Sequence, residues 1–152
     1  MDSRFTIRPF QESDKPEFVA LIRNYWNANH VFLQSPELLW WQYEGYGCRK
    51  GVHFPVLFDG GRMIGFRGFF PAEVRIPIHG MAQVESIMVA ALFLVIPEYQ
   101  KQKLGLALQQ YAMQHERNFV AIASNLRTSA PMHRKSGYLM RDQMLRYVIP
   151  LS

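Results

Sequence analysis

Val95-Ile96-Pro97-Glu98-Tyr99-Gln100-Lys101-Gln102-Lys103-Leu104-Gly105-Leu106-Ala107-Leu108 passes from an apolar run through a polar bend into a helical pattern. The run begins at Ile87, is uninterrupted to Ile96 and is closed by Pro97, which has no N–H to offer a strand ladder. Beyond the bend, Leu104, Ala107, Leu108, Tyr111 and Ala112 recur at helical spacing, which predicts a helix from about Leu104 to Arg117. A strand, a bend and a helix start in that order make an anion site. About four backbone N–H groups lack intrahelical acceptors there, and the macrodipole adds roughly half a positive charge, so main chain alone can hold a diphosphate. A glycine at such a site lets the ligand approach closely. The chain has neither GxxxxGK[ST] nor GxGxxG, which makes ATP and NAD poor candidates.

Upstream, Phe5-Thr6-Ile7-Arg8 alternates as a strand, and Ser13-Asp14-Lys15-Pro16-Glu17 carries cap residues, an early proline and a first-turn acid. Phe18, Leu21, Ile22, Tyr25 and Trp26 then form one helical stripe, ended by Asn27-Ala28-Asn29. A short helix is expected over Pro36 to Tyr43. Phe54–Phe58, Asp59-Gly60-Gly61 and Met63–Phe69 read as a β-hairpin, followed by separate strands at Val74–Ile78 and Gln83–Ile96 around His79-Gly80. Downstream come a short buried strand at Phe119–Ala123, a helix opened by Thr128 or Ser129 with Pro131 and closed by Gly137, and a final strand or strand pair from Tyr138 to Ile149. The order βα(α)βββ then βαβαβ predicts an α/β (α+β) domain, a mixed and mainly antiparallel central sheet flanked by helices on both faces.

The chain's 152 residues, 49% of them apolar, suit one globular domain over residues 1–152, either complete or cut from a longer protein. A ten-residue apolar run is too short to span a bilayer as a helix, which takes about 18 to 20 residues. The start Met1-Asp2-Ser3-Arg4 lacks the features of a signal peptide, and Cys48 is the only cysteine, so a cytoplasmic, reducing location is expected. A formal charge of +5 is scattered, its longest cluster being Arg134-Lys135, and nucleic acid is not expected as a partner. The five histidines show no HxxxH or HExxH spacing and Cys48 has no thiol partner, so no metal site is expected.

The central stretch resembles the signature of the GNAT superfamily of acyl-CoA-dependent N-acyltransferases, V-x-P-x-x-[QR]-x-x-G-x-[GA]. Aligned on the proline, Val95, Pro97, Glu98, Tyr99, Gln100 and Gly105 fall in register, and Lys103 stands at the first glycine. A shifted register uses Gln102, Gly105 and Ala107 but lies two residues farther from the proline. The first register keeps the Pro-Glu-Tyr anchor, and a lysine beside phosphates costs little there if its backbone avoids positive φ. The opening Phe5-Thr6-Ile7-Arg8-Pro9, the hairpin Gly60-Gly61-Arg62-Met63-Ile64-Gly65 and the tail Met132-His133-Arg134-Lys135-Ser136-Gly137-Tyr138 are also similar to the family's pattern, so the likeness covers nearly the whole chain.

The resemblance implies acetyl-CoA, or another acyl-CoA, as acyl donor, and a primary amine of a small-molecule acceptor, such as an amino sugar of surface-polysaccharide biosynthesis, attacking directly in a ternary complex. It implies that Gln100, Lys101, Gln102, Lys103, Leu104, Gly105 and Leu106 wrap the diphosphate. Phe93, Leu94 and Val95 on a bulged strand bind pantetheine, with Asn125 as a further cofactor contact. Glu85 on the long strand is the candidate base. His133 stands where the family commonly has a tyrosine that protonates the departing thiolate, and imidazole, with an ordinary pKa near 6.5, can supply a proton. Trp40, Trp41 and Tyr43 occupy the acceptor-covering region and suit stacking, although adjacent tryptophans on a helix cannot both face one ligand. A non-catalytic acyl-CoA-binding or regulatory domain of a larger protein is the alternative, and a homodimer or a fused second domain is left open.

Overall fold

The computed structural model describes residues 2–45, 54–78, 81–115, 119–121, 127 and 129–140. The chain divides into a larger unit, Met1–Ile122, and a smaller one, Ala123–Ser152, each described by itself.

The larger unit runs β1 (Phe5–Pro9), α1 (Lys15–Tyr25), α2 (Val31–Gln34), α3 (Pro36–Trp40) with a π-helical turn over Trp41–Gly45, β2 (Pro55–Asp59), β3 (Arg62–Ile78), β4 (Met81–Val95), a 3-10 segment (Pro97–Gln102), α4 (Leu104–His115) and β5 (Phe119–Ala121). The five strands form one sheet in the order β1-β2-β3-β4-β5, antiparallel except for the β4–β5 pair. Among the described residues no helix is long and apolar enough to cross a membrane.

Local chemistry accounts for most boundaries. Asp14, buried at the head of α1, takes a bidentate pair from Arg8 at 2.7 Å and 2.7 Å and accepts the Gln11 N–H at 2.7 Å. Gly60 turns the β2–β3 hairpin at φ +57. Phe18 meets Phe66 of β3 at 4.6 Å between ring centroids, whereas α4 places Gly105 against the ring of Phe93, the register partner of Arg67. Neighbouring residues on a strand point to opposite faces. Thus α1 covers one face of the sheet and α4 the other.

Three local expectations need correction. Met63–Phe69 and Val74–Ile78 are not two strands but one, β3, which runs on through Pro71 while pairing with β4. The polar break at Asn27–Asn29 is followed by the short helix α2, capped by His30, whose Nδ1 accepts the Phe32 N–H at 3.2 Å. Trp26 does not complete the buried stripe of α1; it is exposed and stacks at 6.3 Å on Phe66. The strand expected after Tyr138 lies, from residue 141 onward, outside the described residues.

In the smaller unit α5 (Ser129–Lys135) is closed by Gly137 at φ +86, as the helix-ending glycine predicts, and the N–H of Tyr138 reaches the His133 carbonyl at 3.1 Å.

Candidate active site

The site begins where β4 changes character. Arg67 of β3 pairs with Phe93 and Phe69 pairs with Ala90, so two steps on β3 face three on β4. The extra residue makes a β-bulge at Ala91–Leu92. Gly68 lies opposite it, and a Cβ there would stand 2.8 Å from Tyr43 Cε1 and 2.9 Å from Phe54 Cε2. The bulge therefore depends on a residue without a side chain. On its other side, β4 pairs with the described residues of β5 from Met88 to Ala90, next to the bulge. The Arg67 guanidinium is buried in the same place, 4.6 Å from the Phe93 ring centroid and 5.3 Å from that of Phe69.

Beyond Val95 the chain makes a rigid bend. Tyr99 donates its hydroxyl to Asp59 at 2.8 Å and packs edge-on against Phe5, which ties the 3-10 segment to the β2–β3 hairpin and to β1. That hydrogen bond holds the phenol pKa above its ordinary value, since ionisation would set a phenolate beside the Asp59 carboxylate. The Gln100 side chain folds back and donates to the Val95 carbonyl at 3.0 Å, so it braces the bend. Gln102 accepts from Arg4 at 3.3 Å.

Lys103 ends the 3-10 segment at φ 60, ψ 13, and it is the one non-glycine residue with positive φ among the described residues. The condition under which a lysine costs little at this position is therefore not met. The left-handed region costs an ordinary side chain about 1 to 2 kcal/mol, because Cβ crowds the following carbonyl. Lys103 holds it because its own carbonyl accepts the N–H groups of Leu106 and Ala107 at 3.1 and 3.2 Å, starting α4. The proline-anchored register puts the first signature glycine at 103, the position whose backbone favours glycine. The shifted register puts it at Gly105, whose φ is not positive. Gly105 instead permits contact: a Cβ there would lie 3.1 Å from Phe93 Cζ.

Leu104 and Gly105 are the first residues of α4, so their N–H groups have no intrahelical acceptor, and Lys101, Gln102 and Lys103 beside them are exposed. A groove of about 420 Å³ adjoins this corner, lined among others by Arg4, Gln102, Lys103, Leu106 and Ala107. Donors, dipole and cations converge there, although the Asp2 carboxylate also lines the groove and pairs with Arg4 at 3.5 Å.

Within the larger unit, Glu85, Trp40, Trp41 and Tyr43 do not line that groove. Glu85 is half-buried on β4, opposite Val74, and accepts from Gln83 at 2.5 Å. Six residues of extended strand, about 20 Å, separate it from the bulge. His133 is buried in the smaller unit and stacks on Tyr138 at 4.9 Å. Asn125 lies outside the described residues. Trp40 and Tyr43 pack inward: Trp40 against Phe10 and Phe18 under the Lys15 ammonium, Tyr43 against Phe54. Trp41, 57% exposed, is the member of the pair that faces solvent. Among the described residues no group of three His, Cys, Asp or Glu side chains could hold a metal.

Solved structures share the overall fold. Aminoglycoside 6'-N-acetyltransferase AAC(6')-Ih from Acinetobacter baumannii superposes with a TM-score of 0.64 at 19% identity, covering 97% of this chain and 99% of that one. Glucosamine-6-phosphate N-acetyltransferase from Arabidopsis thaliana gives 0.66 at 15% identity, covering 94% and 97%. AAC(6')-Iy, solved with a CoA bisubstrate analogue, gives 0.64 at 14% identity, covering 98% and 100%. The chain has the GNAT fold. Within that fold, β4 with its bulge, the bend and α4 follow one another as strand, loop and helix, and α1 packs on the opposite face of the sheet. No protein-family model and no curated protein sequence matches the chain.

Proposed function

We propose that the chain is an acyl-CoA-dependent N-acyltransferase that moves an acetyl or other small acyl group to a primary amine of a small molecule. The observation that carries this reading is Lys103: a strained left-handed backbone stands at the signature's first glycine, between a braced bend and the open N-terminus of α4. In this reading the N–H groups of Leu104 and Gly105, with the cationic Lys101 and Lys103, hold the CoA diphosphate. The pantetheine arm runs along Phe93–Val95, just past the bulge, and main-chain N–H groups at the bulge polarise the thioester carbonyl.

The acceptor nitrogen attacks that carbonyl carbon, the C–S bond breaks, and the amine loses a proton while the thiolate gains one. The neutral amine is the nucleophile. At about 20 Å from the bulge, Glu85 is too remote to take that proton directly. Its carboxylate suits attraction of a cationic acceptor along β4. His133 remains the candidate acid for the thiolate, and Asn125 a further cofactor contact. Trp41 offers the exposed aromatic face for the acceptor. The acetyltransferases of similar fold that are named for aminoglycosides and for glucosamine 6-phosphate support an amino sugar as the acceptor class. A reducing, cytoplasmic setting suits the single cysteine and an acyl-CoA donor.

A second reading, acyl-CoA binding without turnover, is favoured by the distance of Glu85 from the bulge. One experiment separates the two. The protein is given acetyl-CoA with a panel of amino sugars and simple amines, and free thiol is followed. Amine-dependent thiol release supports the transferase; thermal stabilisation by acetyl-CoA with no release across the panel supports the binding module.

A further inference from the structure

Past the bulge, the two faces of the β3–β4 hairpin differ. On the α4 side Phe69, Met88 and Ala90 are buried and cluster with Ala112 of the helix. On the α1 side the ring of Phe70 lies 6.4 Å from that of Tyr43, and strand alternation sets Ala72 and Val74 on the same face. Directly opposite residues of an antiparallel pair share a face, so Val89, Ile87 and Glu85 complete three rows: Phe70 with Val89, Ala72 with Ile87 and Val74 with Glu85. The first two rows and Glu85 are half-buried and Val74 is 36% exposed, so all three rows are reached by solvent.

The rows form a track with a charge at its far end. Two apolar rows lead away from the bulge, which faces Gly68, to a single carboxylate. Glu85 is the only charged side chain in the three rows, since the flanking Glu73 and Arg75 of β3 alternate to the other face. It accepts from Gln83 through one oxygen, and among the described residues no cation pairs with it. A half-buried carboxylate has given up part of its hydration, and a cation seated against it makes that good.

The track also has a length. From Gly68 to Val74 the strand rises about 20 Å, and a hydrogen-bond length taken off each end leaves on the order of 15 Å between an amine at the bulge and a cation on Glu85. Because α4 covers the opposite face as far as Met88, the α1 side is the open approach to the bulge. We infer that this track takes the acceptor, and that Glu85 selects an extended amine whose second cationic group lies on the order of 15 Å from the nitrogen that is acylated. The body between the two nitrogens lies over Phe70, Val89, Ala72 and Ile87 and is apolar or neutral. The inference deepens the acyl-transfer reading and rests on it for the place of the reacting nitrogen. It gives Glu85 a task for which its distance from the bulge is a requirement.

A series of straight-chain terminal diamines tests it, with alkyl monoamines of equal length as controls. At about 1.25 Å of extended chain for each methylene, a spacing on the order of 15 Å takes about ten to twelve methylenes. Binding is read first, without turnover, from the amide signals of the ¹⁵N-labelled chain, and thiol release from acetyl-CoA second. Diamines of that length should shift the amides of Val84 to Ile87 and show a Kd and a KM roughly five-fold below those of shorter diamines and of the matched monoamines. Glu85→Gln should raise the values for the long diamines to those of the monoamines. Val74→Lys, which sets an ammonium directly across from Glu85, should do the same, and if it fails to fold Glu85→Gln decides. Val84→Glu, which adds a carboxylate to the opposite face, should keep the length preference. A flat length profile, or a preference that survives Glu85→Gln, overturns the inference even if every amine releases thiol. A Glu85-dependent length optimum in binding, with no thiol released by any amine, upholds the track as a dication site and refutes acyl transfer instead.

Discussion

At the scale of single residues, Lys103 concentrates the strain of the bend. Replacing it by glycine removes the Cβ penalty, and Lys103→Gly is expected to stabilise the fold by about 1 kcal/mol, which for a chain of this size raises Tm by about 2 to 4 °C. Calorimetry checks the shift. The same variant loses one ammonium beside the helix start, and it should bind acetyl-CoA more weakly at low salt than at high salt, relative to the wild type. Asp14 gives a second residue-scale test. Burial pushes its carboxyl pKa up, but the Arg8 hydrogen bonds, the Gln11 N–H and the Arg8 charge outweigh burial and hold it below the ordinary value. A depressed carboxylate stabilises the fold above its unfolded pKa of about 4, and that contribution is lost as pH falls through the folded pKa. Asp14→Asn should therefore cost about 1 to 2 kcal/mol near neutrality, and denaturant melts should show the gap to wild type closing as pH falls below about 4.

At the scale of elements, the bulge on β4 requires Gly68. A Cβ there would meet ring carbons of Tyr43 and Phe54 under 3 Å, so Gly68→Val should destabilise by about 2 kcal/mol or more and blunt acetyl-CoA binding through the displaced bulge. Urea melts and a binding titration read the two effects. Gly105→Ala places its methyl 3.1 Å from Phe93, which tilts α4 off β4; a smaller loss of stability is expected than at Gly68, together with weaker CoA binding. Helices α1 and α4 were legible because apolar residues recur at their period, and the β2–β3 hairpin because Asp59-Gly60-Gly61 can turn it. The extent of β3 was not, since Pro71-Ala72-Glu73 interrupts the alternation that marks a strand, and only the partner β4 carries the chain through it. The location of the bulge within Ile87–Ile96 was equally hidden. An uninterrupted apolar run has no period from which an extra residue could be read.

At the scale of the whole molecule, what the sequence showed best was the order of elements around one signature, and the comparison structures share that order over nearly their full lengths. The site was legible in proportion to how local it is. Gln100 to Gly105 are contiguous, and their register is decided by one backbone conformation. Glu85 was placed by its distance along the chain alone, and strand geometry moves it about 20 Å from the bulge. Trp40 and Trp41 separated as neighbours on a helix must, one against Phe18 and one into solvent. His133 joins the smaller unit, stacked on Tyr138, a pairing that no local pattern announces.

The central claim is that main-chain donors after Tyr99 grip a diphosphate. An ¹⁵N-labelled chain titrated with CoA and, separately, with pantetheine tests it at the atoms concerned. The account predicts that CoA shifts the amide signals of Gln102 to Leu106 most strongly, and that pantetheine, lacking the diphosphate, leaves them in place while moving those of Ala91 to Val95. Amides of Gln102 to Leu106 that stay unmoved at saturating CoA, or that move equally with pantetheine, contradict it.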